Sequence, residues 1–504
     1  MRTLQQCLAE YPLPLLEGIA HSAGLTLIAR DAEEAATTLA THMMTADVLN
    51  ALVAQLSSQA RTALAHVRSV QPPLTWTTFV RRYGPLREMG PQRLIREQPW
   101  RTPQSPAEEL VYRGLVFRSM VRRGTTVTEV VYIPPELALL LPPLEESAPD
   151  FRVAPAEPAP SPHREGDAFL EDMVTLLAYA YNEGIQVDWE GRPLRGDLAR
   201  LGERLIHPLI PEELRHPPPR VHLLFHHAYA LRLLVQQGSH LHINSRPLSR
   251  WLKQPRAYQR FLLWRAWAES PRWNDLWHVP ELECVQGPWE NRPQEARQHI
   301  LQHLQRLEKD TWYTLDDFIQ AVYEHDPDFQ RQAGDYASWL IRRRGETDLL
   351  RGFEHWHEVE GRLLRFYIVG PMAWLDAVLL DAGEAPSRFA LSEAGYRWLH
   401  RRSEPMTKTR PYLRVTPDFR VHLPHGAHPF DRFRVTRFAD WEATHPEFVY
   451  RISRKSLARA AAQGIPTPRI LAFLKKSTNN TLPPNVARAL ARWHPESHHS
   501  AQSR

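Results

Sequence analysis

The feature that most constrains the fold of this chain is a strictly alternating run close to its C-terminus. Residues 413–424 read LRVTPDFRVHLP, in which apolar residues or proline alternate with polar and charged residues. A period of two sends successive side chains to opposite faces of a strand, and Pro417 with Asp418 marks a turn. The run therefore predicts a two-stranded antiparallel unit with one buried face.

Two helices with clear start and stop signals are predicted after a further short strand at residues 448–452. Ser453 is suited to cap the first helix, which stops at Gly464. Thr467 and Pro468 supply a cap and an N1 proline for the second helix. Together these elements predict a small α/β module.

The sequence of this module resembles that of the domain that precedes the motor in XPB-type DNA helicases. Residues 449–490 read VYRISRKSLARAAAQGIPTPRILAFLKKSTNNTLPPNVARAL. The matching parts are the strand at 450–452, the small residues at 456–464, the apolar positions at 470–474 and the Leu-Pro turn at 482–483. The resemblance implies an XPB N-terminal-like domain at 409–494, which is a docking and DNA-handling accessory and has no catalytic role of its own.

A helicase motor is not expected in this chain. A P-loop needs a lysine directly after glycine, so that backbone amides and the ammonium group hold the phosphates together. The chain has six lysines and none follows a glycine. There is no GxSxG elbow, and the two cysteines, Cys7 and Cys284, are too few for a disulfide framework or a cysteine zinc site. We therefore expect a non-enzymatic protein without cofactors.

The rest of the chain is predicted to be mainly helical with small hairpins. Residues 71–145 are expected to form a winged helix, with a recognition helix that starts at Ser105 and a hairpin that turns at residues 122–124. A second winged helix is expected at 291–402, with a helix at 336–341 and a wing formed by 377–380 and 389–391. The predicted class is α+β, with tandem winged helices and a C-terminal α/β module. The remaining segments are an N-terminal helical segment (1–70), a Pro/Ala-rich, disordered linker (146–167), a helical middle domain (168–290) and a disordered tail (495–504).

Basic groups on these predicted elements are the candidate binding residues. The formal charge of +5 and the pI near 9.2 permit binding to nucleic acid without requiring it. Candidate nucleic-acid contacts on the two winged helices are Arg118, Arg122, Arg123, Arg342, Arg343 and Arg344, where the last three follow the helix predicted at 336–341. Candidate partner-docking or DNA contacts on the C-terminal module are Arg451, Arg454, Lys455, Arg459, Lys475 and Lys476.

The first predicted recognition helix argues against sequence-specific DNA readout. It reads PAEELVYR and carries Glu108 and Glu109, with Arg113 as its one cation. Carboxylates that face the major groove are repelled by its phosphates unless they accept from cytosine amines. We expect such a helix to contact protein.

The sequence gives weaker support for a metal site or for nuclease activity. His222 and His226 have the i, i+4 spacing that can chelate a metal, but no acid lies between them as in the HExxH pattern. Asp326 and Asp328 lack the acid-x-Lys element that a nuclease carboxylate cluster would need. Acids at 316–317 start a helix, where they usually act as caps. We expect no metal site.

The sequence favours a bacterial helicase-associated accessory that binds DNA mainly through its phosphates, with weak sequence preference, and docks a separate XPB-like helicase or nuclease in DNA repair or transcription. The order of domains also resembles the winged-helix subunit of transcription factor IIH, which carries a copy of the same fold and uses it to dock XPB. A stand-alone winged-helix transcriptional regulator and a metal-dependent nuclease are the alternatives. No apolar run approaches the roughly 18 residues of a membrane helix. We expect a cytoplasmic, nucleoid-associated protein without membrane contact.

Overall fold

The computed structural model has an α+β fold in which helices predominate and the strands form small antiparallel sheets. It describes residues 2–70, 73–123, 126–144, 151–331, 334–383, 385–402 and 413–493. The tail predicted at 495–504 and the tip of the first hairpin lie outside these residues.

Helices are the more abundant elements of the described chain. Their bounds are α1 (Leu4–Leu8), α2 (Leu13–Ser22), α3 (Ala32–Met43), α4 (Ala46–Ala54), α5 (Ser58–Ser69), α6 (Trp76–Tyr83), α7 (Pro91–Glu97), α8 (Pro106–Tyr112), α9 (Pro135–Leu140), α10 (Ala168–Asn182), α11 (Arg195–Gly202), α12 (Pro219–Ala230), α13 (Ser245–Leu252), α14 (Arg256–Ala268), α15 (Pro293–Gln305), α16 (Leu315–His325), α17 (Arg362–Tyr367), α18 (Glu393–Leu399), α19 (Pro429–Thr436), α20 (Arg454–Ala462), α21 (Thr467–Ser477) and α22 (Pro484–Arg492).

The strands are short. Their bounds are β1 (Phe117–Arg123), β2 (Thr126–Tyr132), β3 (Pro162–His163), β4 (Ile185–Gln186), β5 (Leu234–Gln237), β6 (His240–Ile243), β7 (Leu282–Cys284), β8 (Trp312–Thr314), β9 (Ile341–Arg343), β10 (Val378–Asp381), β11 (Arg388–Leu391), β12 (Arg414–Val415), β13 (Arg420–Leu423), β14 (Asp440–Ala443) and β15 (Phe448–Arg451).

The chain divides into two compact units. The first contains Met1–Arg152 together with Glu324–Trp339 and Arg351–Phe353, and the second contains the remainder. In the first unit, α1 to α9 enclose one apolar core, and the predicted hairpin is present as the antiparallel pair β1–β2, although Arg122 and Arg123, which were predicted to lie in the turn, belong to β1 and pair with Val127 and Thr126. The boundaries of the seven segments predicted from sequence remain predictions.

The predicted recognition helix of the first unit is α8, and it is buried at every position from Ala107 to Tyr112. Glu108 accepts hydrogen bonds from Arg87 (Nε, 2.6 Å) and from the backbone of Gln104. Glu109 accepts from Ser57 at 2.7 Å. The prediction that this helix exposes an acidic face is therefore wrong, because both carboxylates are buried and accept hydrogen bonds within the unit.

Two segments share one order of elements, helix, strand, two helices and hairpin, although the second has the additional strand β9 between its two helices. The first runs from α10 to β6, and the second from α15 to β11. In both, the lone strand pairs with the last strand of the hairpin, as β4 with β6 and β8 with β11. The hairpin predicted from 377–380 and 389–391 is present, since Val378 pairs with Leu391, while its role as the wing of a winged helix stays a prediction.

Two local predictions are wrong. Residues 151–167 are not a disordered linker, because Ala156 donates to the carbonyl of Trp312 at 2.7 Å and β3 pairs with β10. The helix predicted at 336–341 is not formed, and Ile341 instead begins β9, which pairs with β7. The predicted helix before the arginine triad is thus replaced by a strand.

The C-terminal module, residues 413–493, is an antiparallel sheet covered by four helices. The sheet order is β12-β13-β15-β14, and the alternating run forms β12 and β13, with Val415 opposite Val421. The predicted buried face is present: Leu413, Val421 and Leu423 lie in the core with residues of α20, α21 and α22. Which family this module belongs to stays a prediction.

Candidate nucleic-acid interface

The arginines of the first hairpin differ in their surroundings. Arg118 forms an ion pair with Glu88 at 3.1 Å, and its guanidinium lies 4.9 Å from the ring centroid of Trp76. Arg122 is exposed and has no ion pair with a described residue. The side chain of Arg123 lies outside the described residues. Among the described side chains of this hairpin, Arg122 is therefore the cation that is free to contact a phosphate.

Two members of the arginine triad, Arg342 and Arg343 on β9, are neutralised by local partners. Arg342 forms a two-pronged ion pair with Glu283 (2.7 and 3.2 Å). Arg343 binds Glu358 at 2.6 Å and Glu346 at 2.9 Å. Because the hydrogen bond from Arg343 lowers the pKa of Glu358 to about 2, that carboxyl group is ionised at neutral pH. The sequence placed both arginines among candidate phosphate contacts, but their charges already have counterions.

Arg344, the last member of the triad, has no acidic partner but is held by backbone. It donates to the carbonyls of Pro280 (2.5 Å) and Leu282 (2.9 Å). These bonds fix the guanidinium beside β7. Its main role in the structure is to tie β9 to the preceding turn.

Two arginines of the C-terminal module are also paired. Arg451 on β15 binds Glu442, which also accepts from Arg420 at 2.7 Å, so one carboxylate bridges two cations across the sheet. Arg459 on α20 binds Asp440 at 2.6 Å. These pairs connect the sheet to α20 and leave both arginines partly neutralised.

Helix α20 begins with two exposed cations. The hydroxyl of Ser453 accepts from the backbone N–H of Ser456, and the hydroxyl of Ser456 accepts from the backbone N–H of Ser453, which forms a capping box. Arg454 and Lys455 follow in the first turn, exposed and without an ion pair among the residues that the structure describes. Cations at a helix N-terminus add to the positive end of the helix dipole, so the local potential is strongly positive.

Helix α21 ends with a second pair of exposed cations. Ile470 and Leu474 fix the helix orientation by packing into the module core. Lys475 and Lys476 consequently face solvent, and neither has an ion pair within the described ranges. The C-terminal end of the helix dipole is a favourable place for them.

Three exposed arginines near these helices were missed from the sequence. They are Arg469 in the first turn of α21, and Arg488 and Arg492 on α22. The signal that would have found them is the absence of acids, since no Asp or Glu occurs between Glu447 and Glu496. The basic residues of this stretch are Arg451, Arg454, Lys455, Arg459, Arg469, Lys475, Lys476, Arg488 and Arg492.

We call α20, α21 and α22 the acid-free helices. Each buries an apolar stripe in the module core through residues such as Leu457, Phe473 and Val486. The opposite sides carry cations that the helices themselves cannot neutralise. Such an arrangement attracts polyanions, and it requires no particular base sequence.

Histidine and carboxylate groups have structural partners. His226 contacts Ser270 Oγ at 3.0 Å, and His222 lies against His278. Asp328 is bound by Arg81 at 3.0 Å and Tyr336 at 2.6 Å. Within the described part of the chain, no group of three or more His, Cys, Asp or Glu is arranged to hold a metal ion.

Comparison with known proteins identifies no relative. No protein-family model matches the chain, and no curated protein matches it either. Among the residues described, no helix has the length and apolar character needed to cross a membrane. The function must therefore be argued from the residues themselves.

Proposed function

We propose that this protein is a non-enzymatic accessory that binds the phosphates of nucleic acid through its acid-free helices. The observation that carries the proposal is the set of exposed cations on α20, α21 and α22 that have no ion pair with a described residue, in a stretch without a single acid. A polyanion that meets such a surface releases its condensed counterions, which makes binding favourable and strongly salt-dependent. We propose DNA as the polyanion. The protein, which we expect to be cytoplasmic, would then associate with the nucleoid.

The burial of the helices that precede the hairpins disfavours a stand-alone winged-helix regulator. In a winged helix the helix before the hairpin reads the major groove. The helices in that position are α8, α12 and α17, and each is largely buried: Tyr112, Leu224 and Leu364 are examples of core residues on them. A buried helix cannot enter a groove, so weak sequence preference is expected.

Docking of a separate XPB-like helicase or nuclease is the second part of the proposal, and it rests on the resemblance of residues 449–490 to the domain before the motor of such helicases. The docking surface would comprise the hairpin at 413–424 and the segment from Arg451 to Lys476. β12 and β14 are the edge strands of the module, and an edge can pair with another chain.

DNA binding is tested by fluorescence anisotropy of the full chain with duplex, forked and single-stranded oligonucleotides across a salt series. We expect micromolar or tighter binding at low salt that differs little between sequences and weakens steeply as salt rises. Replacing Arg454, Lys455, Lys475 and Lys476 by glutamine should reduce the salt dependence by up to about four phosphate contacts, at roughly 0.9 logarithmic units each.

A control replaces Arg342 and Arg343 by glutamine, which removes positive charge from positions that Glu283, Glu346 and Glu358 already neutralise. This variant should bind DNA as the parent does. Equal loss of binding in both variants would contradict the proposal, as would a wild-type protein that fails to bind at low salt.

Docking is tested separately, by affinity capture of a purified XPB-like helicase from the same organism. The change of Arg451, Arg454 and Lys455 to glutamate should abolish capture, with circular dichroism confirming that the module remains folded. Unchanged capture would overturn this docking surface while leaving the DNA-binding proposal intact.

A further inference from the structure

A second positively charged feature of the second unit is an open pocket, which shares Arg469 with the exposed cations just described and is otherwise lined by other residues. The C-terminal end of α10, the hairpin end before α13, and helices α13, α19 and α21 enclose a cavity of about 540 Å³. Its walls are mainly aliphatic and aromatic, and three arginines project into it: Arg434, Arg437 and Arg469. No acidic residue is among the described residues that line it.

No carboxylate of the described residues forms an ion pair with any of the three guanidinium groups. Arg434 is packed against aromatic rings, with its guanidinium carbon 4.1 Å from the centroid of Phe473 and 5.4 Å from that of Phe430. Arg437 donates to the hydroxyl of Tyr181 at 3.0 Å. Arg469 makes no ion pair with any residue in the described ranges.

The electrostatics of the cavity are correspondingly unfavourable without a counterion. Burial, together with the charges of Arg437 and Arg469, lowers the pKa of Arg434, although Asp431 acts in the opposite direction. Arg434 and Arg437 are partly buried and Arg469 is exposed, and an anion between the three like charges would offset their repulsion.

The lining specifies the kind of anion. The guanidinium groups are suited to hold a carboxylate or phosphate through paired N–H donors. Ser245 and Ser249 add two hydroxyl groups at the wall. The phenylalanine and leucine side chains favour an apolar body, and the volume lies within the range of small-molecule sites, about 300–1,000 Å³.

We propose that this cavity binds a small organic anion, with a carboxylate or phosphate head held by Arg434, Arg437 and Arg469 and an aromatic or aliphatic body against the phenylalanine wall. The site is separate from the phosphate contacts proposed for α20 and the end of α21. Its ligand is recognised by one head group and one apolar body, so nucleic acid is not required.

The proposal is tested with the fluorescent anion 8-anilinonaphthalene-1-sulfonate and the full-length protein. We expect one probe per chain, displaced by decanoate or decyl phosphate but not by decanol, and the more effective of the two anions identifies the head group. Arg434→Met preserves the packing on Phe473 and should weaken binding about tenfold, the usual loss for a charge-assisted contact. Ser249→Trp places a bulky side chain at the exposed wall and should abolish binding.

The control is Lys476→Gln on the same helix, which removes a charge from outside the cavity and should leave probe affinity unchanged. Near-ultraviolet circular dichroism of each variant shows whether the fold is retained. The proposal is overturned if folded Arg434→Met and Ser249→Trp bind the probe as the parent does. It is also overturned if the neutral dye N-phenyl-1-naphthylamine binds the parent as tightly as the anion. DNA binding by Arg434→Met should be unaffected, which separates this site from the proposed function.

Discussion

Two arginine-rich regions of this protein have opposite electrostatic designs. The paired region around β7 and β9 matches each of Arg297, Arg342 and Arg343 with a carboxylate. The acid-free helices leave Arg454 and Arg469 without one. The contrast teaches that the number of arginines says little about binding, because the neighbouring acids decide whether a guanidinium stabilises the fold or remains available to a ligand.

The largest effect is expected from Arg297, the most deeply buried member of the paired region. Its guanidinium is fully buried, pairs with Asp275 at 2.8 Å and donates to the carbonyls of Trp267 and Trp273. Arg297→Ala leaves a buried carboxylate without its partner, which typically costs about 3–5 kcal/mol in the free energy of unfolding. Urea denaturation followed by circular dichroism measures the loss.

The matched control for Arg297 is Arg492→Ala on α22, an exposed arginine that should leave the urea midpoint unchanged. Comparable destabilisation by the two substitutions would break the distinction between the regions. Arg297→Ala should leave DNA affinity unchanged when the variant is assayed below its unfolding transition.

Acid should destabilise the paired region next, through two histidines that the fold keeps neutral. Burial and nearby positive groups, which include Arg297 and Arg272, lower the pKa of His226 to about 3. Burial, with His222 and His226 nearby, lowers that of His278 to about 3 as well.

The sign of the pH effect follows from these values. Above pH 6.5 the two histidines are neutral in both the folded and unfolded states, so they contribute no pH dependence. As pH falls from 6.5 towards 3, only the unfolded chain takes up protons, and the free energy of unfolding decreases. At pH 5.5 the two groups together should cost about 3 kcal/mol, at roughly 1.4 kcal/mol per pH unit for each.

The measurement is the urea midpoint between pH 7.5 and 5.5, with His278→Phe as the comparison because phenylalanine retains the stacking on Trp273 but cannot titrate. A variant with the full pH dependence of the parent would rule out His278 as a contributor. The acid-free helices contain no histidine, so DNA affinity of the folded protein should stay nearly constant over this range.

These contrasts also show what could be predicted from the sequence. The alternating run at 413–424 predicted its two strands and their buried face, because a period of two sends alternate side chains to opposite faces. The capping signals at Ser453 and Gly464 likewise marked the limits of α20. Local patterns of this kind depend on neighbours in the chain, and the sequence displays those directly.

The pairing of charges was not predictable in the same way. Arg343 finds Glu358 fifteen positions away, and Arg342 finds Glu283 fifty-nine positions away. The hairpin β5–β6 was missed because LVQQGSHLHI has only weak alternation around Gly238. The acid-free stretch is the exception, since a run without Asp or Glu is visible in the sequence and cannot be neutralised by its own helices.

A third prediction adds acids to the acid-free helices without removing a single cation. Ala458 and Ala472 are exposed, and each lies three or four positions from cations of its own helix. Ala458→Glu with Ala472→Glu should lower affinity for duplex DNA about tenfold at low salt, because the new carboxylates neutralise local charge and repel phosphates. The glutamine pair at the same positions has the same size and no charge, and it should bind as the parent does. Equal affinity of the two double variants would refute the role of α20 and α21.

The smallest expected effect is the reciprocal change, which removes acids from the paired region. Replacing Glu283, Glu346 and Glu358 by glutamine frees Arg342 and Arg343 while preserving side-chain shape. The triple change is made in the variant in which Arg454, Lys455, Lys475 and Lys476 are replaced by glutamine. In that variant it should raise DNA affinity about threefold and steepen the salt dependence of binding by up to two phosphate contacts, each about 0.9 logarithmic units. The control replaces Glu33, Glu203 and Glu212, which are exposed and without an ion pair among the described residues, and so gives the same change in net charge. If the control gains as much affinity, net charge accounts for binding. If only the triple variant gains, the carboxylates beside the arginines are what separate the two regions.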